Sequence, residues 1–361
     1  MDDLTLQENV PLAPLTSFGV GGCARYWVPI ASSAQVPLAI RYAIKQNVPY
    51  VVMGGGSNLV VSDEGFGGVV LAMMQKGRTI LEESSTDVLI RVEAGERWDE
   101  VVGFCVGRGW WGVENLSLIP GTVGAVPIQN VGAYGQEASD TLDSVEAWDT
   151  AEEKVVTLSR DECRFGYRSS RFNAIDPGRY VILAVTFRLG KSGEPVLTHA
   201  AVRNRVEAME SAALDVQRMR DVVISLRSDG RLPDVRRIGN AGSFFKNLFL
   251  SPDAFDAMIA RVKHQLGEEA ATKLAADGRR FAGPGGYKLP AGLLISCCGF
   301  AHERVGGAAL HHSNPTIMIN ENGRATASDL RHLASRILNG VEQMSGMRLQ
   351  IEPQPLGMTW P

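Results

Sequence analysis

Cysteine is scarce and unsuited to cross-linking in this 361-residue chain: there are five, at Cys23, Cys105, Cys163, Cys297 and Cys298. Their number is odd, two are adjacent, and no CxxC or Cys/His ligand spacing occurs. This argues against a disulfide framework or a zinc-binding loop and fits a reducing compartment. A surplus of charge of one sign is missing too. Lys+Arg 36 against Asp+Glu 40 gives a formal charge of -4, so no nucleic-acid-coating surface is expected, although a local anion site stays open. The longest apolar stretch, Pro290 to Ala301, is too short and too broken by glycine to cross a bilayer. Met1-Asp2-Asp3 is acidic where a secretion signal would be basic. The expectation is a soluble cytoplasmic protein with no membrane partner. With 45% hydrophobic and 21% charged residues, the chain has the balance of a folded globular protein, and its length suits two or three domains.

Glycine is in excess, 39 residues or about 11%, against a usual level of roughly 7%. No Gly-X-Y period organises these residues, so they mark turns and places where backbone comes close to something else. Two clusters stand out. Gly54-Gly55-Gly56-Ser57-Asn58 lies between apolar strands expected at 50–53 and 59–61. Successive glycines let backbone N–H groups converge on an anion such as a nucleotide diphosphate, with Ser57 and Asn58 as further donors; a sharp strand-to-strand turn is the plainer reading. The cluster has no Walker lysine and opens no helix, so neither the P-loop nor the GxGxxG fingerprint fits. The second cluster, Leu116 to Gly135, is free of charge and holds Pro120-Gly121, Gly124, Gln129-Asn130, Gly132 and Gly135. Such a stretch suits backbone packed against a large flat apolar ligand, or else a buried structural loop.

Periodicity supplies the rest of the frame. Val36, Ile40, Ala43 and Ile44 predict one face of a helix closed by Asn47 and Pro49, and Trp98, Val101, Val102, Cys105 and Val106 predict another. Strands are expected at 69–71, 88–93, 144–148, 154–158, 180–187 and 316–320, a closing strand at 347–351, and helix over 200–227. Turn formers at 228–234 mark a boundary. Beyond it Ser251-Pro252 opens a helix, Thr326 with Asp329 resembles a capping box, and Leu330 to Met344 carry an apolar stripe ending at Gly346. Arg218, Arg220, Arg227, Arg231, Arg236 and Arg237 are partly offset by Asp221, Asp229 and Asp234, and a solvated face is expected for most of them. His311 and His312 are expected on opposite sides of a strand with no third ligand at a recognisable spacing, so no metal is expected.

Several motifs in order carry a resemblance. Gly54-Gly55-Gly56-Ser57-Asn58-Leu59, the run Ile119 to Gly135, Tyr167-Arg168-Ser169-Ser170 and Asn240-Ala241-Gly242-Ser243-Phe244-Phe245-Lys246-Asn247 resemble the UDP-N-acetylenolpyruvoylglucosamine reductase family in order and spacing. Thr16-Ser17-Phe18-Gly19-Val20-Gly21-Gly22 fits the same family, so the likeness spans nearly the whole chain. The resemblance implies an α+β fold: a two-lobed FAD-binding domain of the vanillyl-alcohol oxidase type, with lobes 1–80 and 81–228, followed by a C-terminal α+β substrate domain, 229–361. It also implies a reaction, in which NADPH reduces FAD and the flavin reduces an enolpyruvyl ether on UDP-N-acetylglucosamine to UDP-N-acetylmuramate for peptidoglycan. The partner is then a UDP-sugar, with a monomer expected and no nucleic acid or membrane involved. Other flavoenzymes of that fold tether the flavin through His or Cys; the glycine-rich clusters contain neither, so the FAD is expected to be non-covalent.

By the same match Gly54, Gly55, Gly56, Ser57, Asn58 and Leu59 hold FAD together with Pro120, Gly121, Thr122, Gly124, Ala125, Gln129, Asn130, Gly132 and Ala133. Reducing the ether needs hydride at the terminal CH₂, a proton at the carbon bearing the carboxylate, and a fixed cation for the charge that gathers on that carboxylate. Arg168 matches the cation; its guanidinium forks onto a carboxylate as a lysine cannot. Ser243 matches the proton donor, a weak acid that needs polarising neighbours, with Lys246 and Asn247 close in sequence. Glu352, expected at the end of the closing strand, completes the catalytic set, and a carboxylate beside an anionic substrate implies a raised pKa. Substrate contacts fall on Tyr167, Arg168, His199, Arg231, Asn247 and Lys288. His199 follows Pro195-Val196-Leu197-Thr198 where the branch with a substrate-covering loop has tyrosine, which implies weaker, pH-sensitive stacking on the uridine side. Arg231 stands for a usual lysine and Leu248 for a common proline, while the three catalytic candidates are unaltered.

Overall fold

Apolar runs fold as strands and helix-period stripes as helices in the computed structural model, which describes residues 4–209, 214–230, 232–283 and 285–361. The chain divides into two units, one from Met1–Val10, Ala24–Gly56 and Gly67–Asp229, the other from Pro11–Cys23, Ser57–Phe66 and Gly230–Pro361. Both mix helix and strand, an α+β fold.

In the first unit, Cys23–Ile30 leads into the helix Gln35–Lys45 and on to Tyr50–Met53, which pairs parallel with Phe66–Met73. With Gln7–Pro11 these make a four-stranded sheet. The helix buries Val36, Ala39, Ile40 and Ala43 in one core with Val28, Ile30, Val69 and Leu71. Ile44, expected on that face, is 68% exposed. At about 100° per residue it is turned about 80° from Val36, and Ala39 takes the flank of the stripe instead.

A second, antiparallel sheet orders Lys154–Ser159, Leu142–Asp149, Tyr180–Gly190, Asp87–Glu93 and Arg78–Glu83. Its central strand is buried from Val181 to Phe187, which accounts for that near-continuous apolar run. The helix Trp98–Val106 adds Trp98, Val101, Val102, Cys105 and Val106 to the core, and the Trp98 indole donates to the Leu116 carbonyl at 3.1 Å, fixing the entry to the second glycine cluster. Burial pushes the thiols of Cys105 and Cys163 up to about 12, so they remain protonated core groups.

Asp149 is 1% exposed at the end of its strand. Its carboxylate accepts from Arg179 Nη2 at 2.7 Å and Nε at 3.0 Å, and from the N–H groups of Ala151 and Glu152. The Arg179 hydrogen bonds hold its pKa down at about 2, below the ordinary 3.8. A folded value below the unfolded one stabilises fully above about pH 4, and the gain is lost as pH falls toward 2. Asp149→Asn is therefore expected to cost about 2 kcal/mol at pH 7 and much less near pH 2, measured as urea midpoints; an equal loss at both would exclude the charge as the cause.

The helix expected over 200–227 is two helices, Ala200–Glu207 and Val216–Arg227, with 210–213 outside the described residues. They share a small core of Val202, Met219, Val222 and Leu226. Two arginines there are exceptions to the solvated face expected of most. Arg220 donates to both Asp99 oxygens, at 2.8 and 3.1 Å, and to Ser117 Oγ at 2.8 Å. Burial pushes the Arg227 pKa down, opposed by the nearby Tyr134 hydroxyl and Asp99 carboxylate.

In the second unit, Ser251 Oγ accepts from Ala254 N–H to start Pro252–Leu266, and Thr326 with Asp329 forms the capping box of Ala327–Ser345, which ends at Gly346 with φ 76°. The carboxylate of Asp63 accepts from the first two N–H groups of that helix, at 2.7 and 2.9 Å. Leu330, Leu333, Ile337 and Val341 share a core with Phe255, Met258, Leu294 and Ile295. One sheet orders Gly239–Asn240, Asn314–Asn320, Ala308–His311 and Arg304–Val305; another orders Leu248–Leu250, Gly286–Leu289 and Ala282–Gly283. His311 and His312 do not take opposite sides of a strand: the strand ends at His311 and the rings lie 4.5 Å apart. Among the described residues no group of three His, Cys, Asp or Glu side chains could hold a metal ion. The closing strand expected at 347–351 does not form. Only Ile351 bridges, to Phe245, and the last strand is Gln354–Leu356, parallel to Leu59–Val61. Among the described residues no helix is long and apolar enough to cross a membrane.

Candidate functional site

In the first unit, the strand Tyr50–Met53 delivers Gly54 and Gly55 against Gly121 and Thr122. A methyl group on Gly54 would overlap Thr122 Oγ1, and one on Gly55 would lie 2.9 Å from Gly121 Cα, so only bare backbone fits. The second cluster is held along the 94–98 segment: Trp98 N donates to Gly121 O at 3.1 Å, Val123 N to Glu96 O at 2.9 Å, and Gly124 N to Ala94 O at 2.9 Å. Thr122 Oγ1 is buried and finds no hydrogen-bond partner among the described residues. A buried hydroxyl facing bare glycine backbone is an arrangement that fits FAD, with Gly54, Gly55, Gly121 and Thr122 as the residues that would hold it. Pro120 and Ala125 are exposed, Gly124 and Gln129 half-buried, and Ser57, Asn58 and Leu59 belong to the second unit.

Arg168 stands at the tip of a tight turn. Gly166 and Ser169 exchange both backbone hydrogen bonds, at 2.9 and 3.1 Å, around Tyr167 and Arg168, whose φ of 51° is strained for a residue other than glycine. Its Nη2 donates to Gly132 O at 2.8 Å, and its guanidinium lies 5.2 Å from the Tyr167 ring centroid. Ser170 Oγ donates to Ile128 O at 2.7 Å. Gly132–Ala133 pairs with Gln136–Glu137 around Tyr134 and Gly135. Asn130, buried just before that pair of strands, bonds to Glu137, Ser139 and Gly166. His199 caps the helix Ala200–Glu207, its Nδ1 accepting from Ala201 N–H, and its ring meets Tyr134 edge-on at 5.2 Å.

In the second unit the structure brings Glu352 into, and Ser243 next to, one backbone bridge. Phe245 pairs with Ile351, Glu352 N donates to Phe244 O at 2.9 Å, and Lys246 N donates to Gln350 O at 2.9 Å. Gly242, at φ 71°, turns the chain, and Phe244 and Phe245 anchor it in the core, leaving Ser243 exposed between Gly242 and Phe244. Asn240 sets that corner: its Oδ1 accepts from Gly242 N, and its carbonyl accepts from Ser17 Oγ at 2.6 Å. Asn58 Nδ2 donates to Glu352 O at 3.4 Å, and Asn58 O accepts from Gln354 N at 2.8 Å. Asn247 Oδ1 accepts from Ala291 N, and Lys288 pairs across its sheet with Phe249, Nζ standing 5.6 Å from that ring's centroid. Arg231 lies outside the described residues, and Arg168 belongs to the first unit. Sequence reasoning named Ser170 only as part of a motif and passed over Glu137; the places of both become visible only with their partners, Ile128 and Asn130.

Bare glycine backbone against Thr122 and the mixed helix-and-strand architecture suit a flavin-binding protein, the class that the comparisons give. The family model of an FAD binding domain matches residues 24–159, and that of UDP-N-acetylenolpyruvoylglucosamine reductase, C-terminal domain, matches residues 234–356. The chain is 39% identical over 360 residues to UDP-N-acetylenolpyruvoylglucosamine reductase of Thermobifida fusca, covering 98% of each. It is 38% identical over 350 residues to the reductase of the same name from Pseudomonas aeruginosa, covering 97% of this chain and 98% of that one. Its fold is similar to the crystal structure of UDP-N-acetylenolpyruvylglucosamine reductase from Thermus caldophilus, with TM-score 0.64 at 23% identity over 99% of this chain and 100% of that one. The chain belongs to the UDP-N-acetylenolpyruvoylglucosamine reductase family and is an FAD-dependent oxidoreductase.

Proposed function

We propose that the chain reduces UDP-N-acetyl-3-O-(1-carboxyvinyl)-glucosamine to UDP-N-acetylmuramate, a step in peptidoglycan precursor synthesis, with Arg168, Ser243 and Glu352 as its catalytic residues. FAD, when bound, supplies a hydride to the terminal CH₂ and takes its electrons from NADPH. Arg168 holds the substrate carboxylate in a charge-assisted pair, and Glu352, in its protonated form, donates a hydrogen bond to that carboxylate as negative charge gathers on it. Ser243 gives its hydroxyl proton to the carbon that bears the carboxylate and regains one from water. The balance is one C=C bond converted to two C–H bonds, with NADPH and a proton consumed. Asn247 and Lys288 are assigned to the diphosphate of the sugar nucleotide, and Tyr167, His199 and Arg231 to further substrate contacts. The observation that carries this reading is the bridge of Phe244–Lys246 with 350–352, which gives Ser243 and Glu352, distant in sequence, one anchored backbone. We take the protein to act as a cytoplasmic monomer, where NADPH and nucleotide sugars are held, without nucleic acid or membrane.

The test is anaerobic. NADPH is expected to bleach the yellow holoenzyme, and only the enolpyruvyl UDP-sugar should restore the colour. A flavin that NADPH leaves unbleached, or that the sugar nucleotide fails to reoxidise, would remove the assignment.

A further inference from the structure

We propose that Asn130 is a positioning residue for Arg168, setting the guanidinium for the substrate carboxylate, and that its side chain does not serve the cofactor. The inference rests on the role given to Arg168 above. The edge Ile128 to Gly132 meets the Arg168 turn at alternate residues: Ser170 Oγ donates to Ile128 O at 2.7 Å, Asn130 Nδ2 to Gly166 O at 3.3 Å, and Arg168 Nη2 to Gly132 O at 2.8 Å. The turn's own residues make the outer two ties. The middle one belongs to Asn130.

The amide of Asn130 is occupied within the protein. Nδ2 donates to Glu137 Oε2 at 2.8 Å as well as to Gly166 O, and Oδ1 accepts from Ser139 N at 3.0 Å. A primary amide has two N–H donors, and both are spent, on a side chain only 1% exposed. Asn130 and Arg168 both hold left-handed backbone, at φ 44° and 51°, a conformation asparagine accepts more readily than arginine. Arg168 keeps its strained φ only while its surroundings over-determine it, and the Asn130 bond secures Gly166, the residue that opens the turn. Without that bond the turn can relax toward ordinary backbone and carry the guanidinium off Gly132 O.

A double-mutant cycle on the holoenzyme separates the possibilities. Asn130→Ala is expected to keep stoichiometric FAD and a normal rate of bleaching by NADPH while reoxidation by the enolpyruvyl sugar slows about a hundredfold. Asn130→Asp keeps the acceptor for Ser139 but sets a carboxylate against the Glu137 and Gly166 oxygens, and should be as slow. Added to Arg168→Lys, either change should cost nothing further. Penalties that multiply in full, or loss of FAD as the primary defect, overturn the proposal. A normal reoxidation rate in Arg168→Lys alone would remove both the role of Arg168 and the inference built on it, whereas a slow Arg168→Lys with multiplying penalties removes only the inference. Should neither Asn130 variant fold, Asn130→Ser, which keeps a small polar side chain but gives up the amide donor to Gly166 O, takes its place in the cycle with the same two outcomes.

Discussion

Ser243→Ala protein is expected to bind FAD, to be bleached by NADPH at the normal rate, and to pass its electrons to the enolpyruvyl sugar about a thousandfold more slowly. The selectivity follows from where the residue sits. Its neighbours carry the structure: Phe244 is 0% and Phe245 1% exposed, Phe244 N donates to Thr316 O, and Gly242 N donates to Asn240 Oδ1. The Ser243 side chain is exposed, so its loss removes a hydroxyl and leaves the corner intact. Stopped-flow absorbance at the flavin band resolves the two half-reactions. A variant that reoxidises normally would take the proton-donor role from Ser243; one slow in both halves would mean that FAD had moved.

The local grammar of the chain was readable in advance where a single residue type decides the conformation. Ser251 and Thr326 cap their helices, and the stripe from Leu330 to Val341 is buried, as their spacing requires. The family was readable too, because its motifs are runs of glycine, asparagine and serine whose order chance does not reproduce. What stayed hidden depends on pairings distant in sequence. The alternation of Met347 to Ile351 suggests a strand, but the backbone of Gln350 and Glu352 is used by a short bridge to 244–246, and the strand that follows pairs with Leu59–Val61. Arg220 and Arg227 read as surface charge until Asp99 and Tyr134 are placed beside them. Nor does the sequence announce that Pro11–Cys23 and Ser57–Phe66 join the unit formed mainly by the C-terminal third. Asn130 reads as one more polar residue of a ligand-facing loop, and its three partners within the protein become visible only in the fold.

Gly54→Ala is expected to weaken FAD binding by about a hundredfold, enough for the protein to emerge from gel filtration largely colourless. The added methyl would overlap Thr122 Oγ1, and the backbone cannot retreat easily, since Gly55 already lies against Gly121. Thr122 is fixed on its other side by the bridge to Arg97 and by the bond from Trp98 N to Gly121 O. The decisive comparison is with Thr122→Ala. That change alone removes a hydroxyl with no partner among the described residues, and should weaken FAD only several-fold if the hydroxyl faces the cofactor. Combined with Gly54→Ala it removes the overlapping atom, leaving Thr122 Cβ 3.5 Å from the new methyl, an ordinary contact. The double variant should therefore bind FAD more tightly than Gly54→Ala does, a rescue that general destabilisation cannot imitate. Equilibrium titration of apoprotein with FAD, with circular dichroism to establish that each variant is folded, reads both effects. If Gly54→Ala binds FAD with undiminished affinity, the first glycine cluster is only a turn between strands, and the cofactor's contacts must be sought in the stretch from Gly121 to Ala133.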